Sequence, residues 1–191
     1  SCMVSTWAGG VFAAQSWAGR NGGDGFWSTI EPILQQRWYY SSQYGSIVAT
    51  SSAQSTSAAS ASGAWNPGVA QAQGGERKSF VTNFDLYRFG GESTGCPAAT
   101  GCGRIISGTY RVWESVTGGV PSGSWKVNSP DLTKGTLADR SFINQVAYAV
   151  STPSVAIAGT NDGNVWFGLN MGQDVSNSAT WVNVTGNNTV L

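Results

Sequence analysis

The fold is decided by the stretch from Val155 to Trp181, which reads VAIAGTNDGNVWFGLNMGQDVSNSATW. An apolar run from Val155 leads into the turn sequence Thr160–Gly163, and Val165 begins a second β-prone run. Asp-Gly supplies the positive φ angles that a tight hairpin turn requires. The stretch therefore predicts a strand, a hairpin turn, a second strand and, after a loop, a third strand that opens on Trp181.

The same pattern occurs earlier in the chain, from Ile105 to Trp125 (IISGTYRVWESVTGGVPSGSW), and in a weaker form from Trp38 to Thr50. Three features recur: a Gly-Thr pair before the turn, a Val-Trp pair after it and a closing Trp. They are Gly108-Thr109 with Gly159-Thr160, Val112-Trp113 with Val165-Trp166, and Trp125 with Trp181. Because these tryptophans recur with the pattern, we expect them in the core between repeats rather than in a binding site.

The composition also favours an all-β chain. The 191 residues include 26 Gly and nine Trp, whereas the helix formers Leu, Lys and Glu are scarce. Lys plus Arg and Asp plus Glu are 10 each, so the net charge is zero. A nucleic-acid-binding protein needs a basic face, which this charge balance argues against. No apolar run is long enough for a membrane-spanning helix.

The spacing of the repeats predicts part of a β-propeller. Repeats of ~40–50 residues with four short strands each are typical of propeller blades, and loop insertions lengthen the repeat here. We predict about three blades, each a four-stranded antiparallel sheet, in one propeller segment that is incomplete in this chain. The expected units are a partial blade at 1–20, blades at 21–78 and 79–140, and a truncated blade at 141–191.

Several strands can be placed within these units. The low-complexity residues 51–64 are interpreted as a loop and a weak outer strand of the first full blade. Strands are also predicted at Ser79–Leu86 and Phe142–Val150, the latter with an exit turn at Ser151–Pro153.

Two of the three cysteines indicate a disulfide. Cys96 and Cys102 lie in the loop GCPAATGCG and could close a small ring, although two free thiols remain the alternative. A disulfide suits a secreted, extracellular or periplasmic protein. Cys2 is left over. The chain has no His and no CxxC spacing, so neither a metal nor another cofactor is predicted.

Four acidic residues are considered for catalysis. Glycosidases need two carboxylates ~5–9.5 Å apart, and the candidates are Asp24, Asp85, Glu114 and Asp162. Asp24 and Asp162 stand in turn sequences, where such side chains bond their own backbone. Asp85 is a weak catalytic candidate, since its strand is expected nearest the propeller axis, but hydrogen bonding within the sheet explains it better. A calcium loop is conceivable at 161–164, but a plain hairpin turn also explains that sequence.

Two N-glycosylation patterns lie near the end of the chain, at Asn183 (Asn-Val-Thr) and Asn187 (Asn-Asn-Thr). Such short patterns arise often by chance in a chain rich in Asn and Thr. They are compatible with secretion.

The order of motifs GGDGF, YGSIV, GTYRVWES, SPDLT and GTNDGNVW resembles the secreted β-propellers with sialidase-type (BNR, or Asp-box) repeats. That group also includes sortilin-type propellers and some glycoside hydrolases. The resemblance covers roughly residues 21–188. It departs from the Asp-box pattern Ser-x-Asp-x-Gly-x-x-Trp at Thr117, which replaces the acid after Ser115, while Gly119 and Trp125 remain.

Composition, missing acid–base residues and blade number together predict a non-catalytic extracellular propeller segment that serves as a protein-binding or assembly module. Its expected partner is the remainder of the propeller or another protein chain, because an open arc of blades leaves strand edges that need cover. A glycan is a further candidate partner. The alternative is a part of a BNR-type glycoside hydrolase or a carbohydrate-binding propeller. That alternative rests on the resemblance and the aromatic content alone.

Overall fold

The computed structural model describes residues 2–4, 18–21, 24–35, 37–50, 62–65, 76–90, 95–120 and 122–186. These residues are almost entirely strand, turn and loop, with short 3₁₀ turns at Ser122–Ser124 and Ala138–Arg140. The strands are β1 (Cys2–Val4), β2 (Ala18–Asn21), β3 (Ser28–Ile30), β4 (Trp38–Ser41), β5 (Ile47–Thr50), β6 (Ser62–Trp65), β7 (Phe84–Leu86), β8 (Ile105–Gly108), β9 (Val112–Ser115), β10 (Lys126–Val127), β11 (Ile143–Ala149), β12 (Thr152–Thr160), β13 (Val165–Leu169) and β14 (Thr180–Asn183).

Twelve of these strands form three four-stranded antiparallel sheets, each joined in sequence order. The first sheet is β3-β4-β5-β6, the second is β7-β8-β9-β10 and the third is β11-β12-β13-β14. Strands β1 and β2 pair separately. The prediction of an all-β chain with four-stranded antiparallel sheets is confirmed. The three sheets lie within 21–78, 79–140 and 141–191.

The central hairpins of the three sheets share one register. Gly108 pairs with Val112 in the second sheet, and Gly159 pairs with Val165 in the third. The first sheet has the pair Ser41 and Ile47 at this place. Each residue of one sheet therefore has a counterpart in the next, and the same positions can be compared across all three.

The sheets stack face to face in chain order. We call the side of a sheet that points toward the following sheet its far face, and the opposite side its near face. One core joins the first and second sheets and contains Tyr39, Ile47, Ala49, Phe84, Leu86, Ile105 and Trp125, with Trp113 against it. Another joins the second and third sheets and includes Ile106, Val112, Leu132, Ile143, Val146, Tyr148, Ala156, Ala158 and Met171. The second sheet is thus buried on both faces, because neighbouring residues of a strand point to opposite sides.

The recurring tryptophans all lie on near faces, as expected for residues of a repeated core. Trp113 and Trp125 pack against the first sheet, whereas Trp166 and Trp181 pack against the second. The indole N–H of Trp166 donates to the carbonyl oxygen of Leu132 at 2.7 Å. Each tryptophan pair thereby holds its own sheet against the preceding one.

One predicted strand and one predicted turn differ from the structure. Only Phe84–Leu86 of the predicted strand 79–86 joins the second sheet, because Thr82 turns toward the first and accepts the amide N–H of Gly45 at 2.7 Å. The predicted exit turn at 151–153 is displaced, since β12 already begins at Thr152. The weak outer strand expected within 51–64 corresponds to β6.

Candidate functional site

The densest group of polar side chains lies between the second and third sheets and is centred on Glu114. This residue is 2% exposed, on the far face of β9. Its Oε1 accepts hydrogen bonds from Arg104 Nη2 at 2.9 Å and Tyr148 Oη at 2.7 Å. Its Oε2 accepts from Asn128 Nδ2 at 2.7 Å and the backbone N–H of Gly172 at 2.9 Å. A carboxylate has about four acceptor positions, so this one is saturated.

The residues around Glu114 are packed tightly. The Arg104 guanidinium lies over the Tyr148 ring, 5.4 Å from its centroid. Gly172 has a φ of +91°, which L side chains rarely adopt, and a Cβ built on it would stand 2.2 Å from the guanidinium carbon. Burial raises the pKa of Tyr148 well above its usual value, and the Glu114 charge raises it further. Tyr148 therefore stays protonated and acts as a hydrogen-bond donor.

Asp85, the catalytic candidate of the sequence, lies in the same cross-strand row as Glu114, with Ile106 between them. Asp85 Oδ2 accepts the backbone N–H of Tyr148 at 2.8 Å. Burial raises the pKa of this carboxyl, and the Tyr148 amide partly offsets that effect. Tyr148 thus contacts both acids, through its amide and its hydroxyl.

Hydrogen bonds from Tyr148 to Asp85 and Glu114 join the third sheet to the second. Asp85 and Glu114 stand on strands two apart, so their backbones are roughly 9–10 Å apart at the usual strand spacing. Tyr148 spans the space between them, with its backbone N–H on Asp85 and its hydroxyl on Glu114. Among the described acids, this pair has the geometry of a structural link between sheets.

Asp162, another of the acids considered for catalysis, stabilises the turn between β12 and β13. Its Oδ1 accepts the Thr160 hydroxyl at 2.6 Å and its Oδ2 accepts the backbone N–H of Lys134 at 2.9 Å. Burial acts to raise the pKa of Asp162, but these donors and others outweigh it and hold the pKa below its usual value. In the second sheet, the matching hydroxyl of Thr109 donates instead to Glu76 at 2.6 Å. The described ranges contain no group of three or more acidic, Cys or His side chains that could hold a metal ion.

The cysteine loop contacts the first sheet through Glu31. Cys96 and Cys102 lie at disulfide distance, as the sequence indicates, and both are buried. The backbone N–H of Cys102 donates to Glu31 Oε1 at 2.9 Å. A Cβ at Gly101 would lie 2.5 Å from the Glu31 carboxyl carbon. The loop inserted into the second repeat is thus fitted around a buried carboxylate of the first.

Glu31 is held in its charged form by backbone donors. Its two oxygens also accept the N–H groups of Ile33 and Leu34, at 2.7 and 2.8 Å. Burial acts to raise the pKa of Glu31, but the backbone hydrogen bonds, that of Cys102 foremost, outweigh burial and hold the pKa below its usual value.

One glycosylation candidate can be examined in the structure. Asn183 is exposed on β14, and its Oδ1 accepts the backbone N–H of Thr185 at 2.9 Å. The Thr185 hydroxyl, part of the same sequon, accepts the N–H of Val165 at 2.6 Å. Asn187 lies outside the described residues. Thr185 therefore has a structural reason to be present besides the sequon.

The far face of the third sheet is apolar and exposed. Ile157, Phe167 and Val182 form one row across β12, β13 and β14, and they are 38%, 43% and 46% exposed. The counterparts of Ile157 on the far faces of the other sheets are buried: Ile106 is 0% exposed and Tyr39 is 1% exposed. This row is the clearest candidate for a binding surface in the described part of the chain.

A second exposed apolar group lies where the first sheet meets the segment before β7. The Phe80 ring packs edge-on against Tyr44 and Phe26, with centroids 5.1 and 5.6 Å apart. Phe80, Tyr44 and the neighbouring Trp27 are exposed. Aromatic side chains of this kind suit contacts with a protein or a sugar ring. Here their packing also fixes the segment before β7, since the Tyr44 N–H donates to the Phe80 carbonyl at 3.1 Å.

Comparison with protein-family models, with curated proteins and with solved structures found no match. The described part of the chain has no helix with the length and apolar character to cross a membrane.

Sequence reasoning did not identify Glu31, Arg104 and Tyr148 as site residues. A single glutamate before Pro32, or an arginine before an apolar strand, carries no local signal of its distant partner. The exposed row of the third sheet could be anticipated from the sequence, because β12 and β13 are apolar on both faces. Strands of that kind are typically covered on both sides.

Proposed function

We propose that this chain is a non-catalytic segment of an extracellular β-propeller that serves as a protein-binding or assembly module. The observation that carries the proposal is the exposed row Ile157, Phe167 and Val182. The corresponding far faces of the first and second sheets are buried under a following sheet. Each side chain of the row is 38–46% exposed, so a protein surface that covers it would gain roughly half of the ~1.5–3 kcal/mol that full burial of such a side chain provides.

The alternative, a part of a glycoside hydrolase, agrees less well with the geometry. Its two acids, Asp85 and Glu114, are bonded to the following sheet through Tyr148. The cysteine pair and the neutral, weakly charged composition are compatible with an extracellular location.

A hydrophobic dye that fluoresces on apolar surfaces tests the proposal. We expect the chain to bind the dye, and the substitution Phe167→Lys to reduce the fluorescence several-fold without changing the fold. Val175→Lys is the matched control, since Val175 is exposed outside the row. Equal fluorescence from the two variants would contradict a binding function for this face.

A further inference from the structure

The far face of the second sheet packs against the third sheet. The far face of the third sheet has several of the same features, but no described residues pack against it. We propose that this face is the docking site for one further four-stranded sheet of the same repeat type, bearing a tryptophan on its third strand and another where its fourth begins. This inference rests on the proposed function, because it names the partner of the same face.

The first observation is the space at Gly159. Its counterpart Gly108 is in close contact with the third sheet: a Cβ built there would lie 2.6 Å from Cγ2 of Ile143. A Cβ built on Gly159 meets no atom of the described residues within 4 Å. Gly159 therefore leaves room for an aliphatic residue, at the place where Gly108 admits Ile143 from the first strand of the following sheet.

The second observation is the segment that follows the fourth strand. After β10, the N–H of Asn128 donates to the Val112 carbonyl at 2.8 Å, and the Ser129 hydroxyl accepts the Val112 N–H at 2.7 Å. After β14, Val184 and Thr185 make the same two bonds to Val165, at 2.9 and 2.6 Å. The two segments have the same hydrogen-bond geometry.

This segment is the acceptor for a tryptophan of the next sheet. The Asn128 carbonyl receives the indole N–H of Trp181 at 2.7 Å. Val184, the counterpart of Asn128, is exposed. The third sheet thus offers an equivalent carbonyl for an indole N–H, next to the apolar row.

A sheet with this tryptophan pair fits the face better than a second copy of the chain does. The near faces of the second and third sheets are already buried in the two cores. A second copy that repeated the interface between the second and third sheets would have to use the near face of its first sheet, where Val48 stands in place of Trp113 and Trp166. Val48 cannot make the hydrogen bond that the Trp166 indole makes to the Leu132 carbonyl of the preceding sheet.

The test appends a copy of residues 136–191 after Leu191, which keeps the chain spacing that separates the second and third sheets. In a Cys2→Ser background, the substitution Ile157→Cys places a thiol on the far face of the original third sheet. The rate at which this thiol reacts with a thiol reagent measures how accessible that face is. We expect the appended repeat to slow this reaction at least ten-fold. Val150→Cys, in the exposed turn between β11 and β12, should react at the same rate with and without the appended repeat.

Gly159→Trp in the original repeat should restore the fast reaction of the extended chain, because the indole fills the space that the docked strand needs. Gly123→Trp is the matched control, at a glycine with equally open surroundings, and should leave the protection intact. An unprotected Ile157→Cys in the extended chain, or equal effects of the two tryptophans, would overturn the proposal. Protection in the unextended chain that grows with protein concentration would overturn it in favour of a second copy. If the chain binds the dye through Phe167 but the added repeat does not protect Ile157→Cys, only the proposed partner is refuted. If the chain does not bind the dye, the proposed binding function of this face is refuted.

Discussion

The far faces of the second and third sheets occupy the same place in the repeat, yet they have different environments. Ile106 and Glu114 pair across the second sheet as Ile157 and Phe167 pair across the third. The first pair is buried and the second is exposed. The backbone register is the same, so the presence of a following sheet decides the difference.

The two far faces also differ in how they can hold a following sheet. Glu114 needs four donors, and the third sheet and its loop supply two of them, Tyr148 and Gly172. Phe167 needs only apolar contact. A buried charged network accepts one partner in one geometry, whereas an apolar row accepts any surface of matching shape. Shape at Gly159 must therefore supply much of the selectivity on the third sheet.

The largest expected effect contrasts one substitution at two equivalent positions. Ile106→Ala should cost about 2–5 kcal/mol of unfolding free energy, because it leaves a cavity between two sheets. Ile157→Ala should change the unfolding free energy by less than about 1 kcal/mol, since its side chain is exposed. Urea denaturation of both variants measures the difference. Equal losses would mean that the far face of the third sheet is covered in solution.

A smaller effect tests whether the covered interfaces respond to acid. Glu31→Gln removes a charged acceptor of three backbone N–H groups and should cost about 1–3 kcal/mol at pH 7. The pKa of Glu31 is lowered in the folded state, so the charge stabilises the fold above the unfolded value of about 4.3. That contribution is lost as the pH falls through the lower folded pKa.

Urea denaturation at pH 7 and at successively lower pH measures how much the Glu31 charge contributes to the unfolding free energy. The stability difference between the chain and Glu31→Gln should shrink below pH ~4. Asp24→Asn, at an exposed acid, is the control and should have little effect at either pH. A difference that stays constant down to strongly acidic pH would contradict the role of the Glu31 charge.

The sequence predicts local features of this molecule well and distant contacts poorly. The strands around 155–169 follow from two apolar, β-prone runs with a turn sequence between them, and the repeated tryptophans place the near faces. Hydrogen bonds such as that from Cys102 to Glu31 join residues far apart in the chain, so neither residue shows its partner. The predicted strand at Ser79–Leu86 is longer than β7, because Thr82 bonds to the first sheet and this competes with strand extension.

The smallest predicted effect concerns Asp85. Burial raises its pKa, so the folded chain binds the proton more tightly than the unfolded chain does. The ionised carboxylate therefore opposes folding above the raised pKa, and stability increases as the pH falls toward the unfolded value of about 3.9. Asn keeps an oxygen acceptor for the Tyr148 N–H without the charge. Asp85→Asn should stabilise the chain by up to about 1 kcal/mol at pH 7 and by less at pH 3.

The same variant separates the two functions. A catalytic acid cannot be replaced by an amide without loss of turnover, whereas a hydrogen-bond acceptor between two sheets can. Thermal unfolding and a panel of glycans as substrates should be measured on the chain and on Asp85→Asn. Hydrolysis by the chain that disappears in the more stable variant would assign Asp85 to chemistry. A stability gain without any such loss assigns it to the same interface as Glu114, and leaves the apolar row of the third sheet as the functional surface.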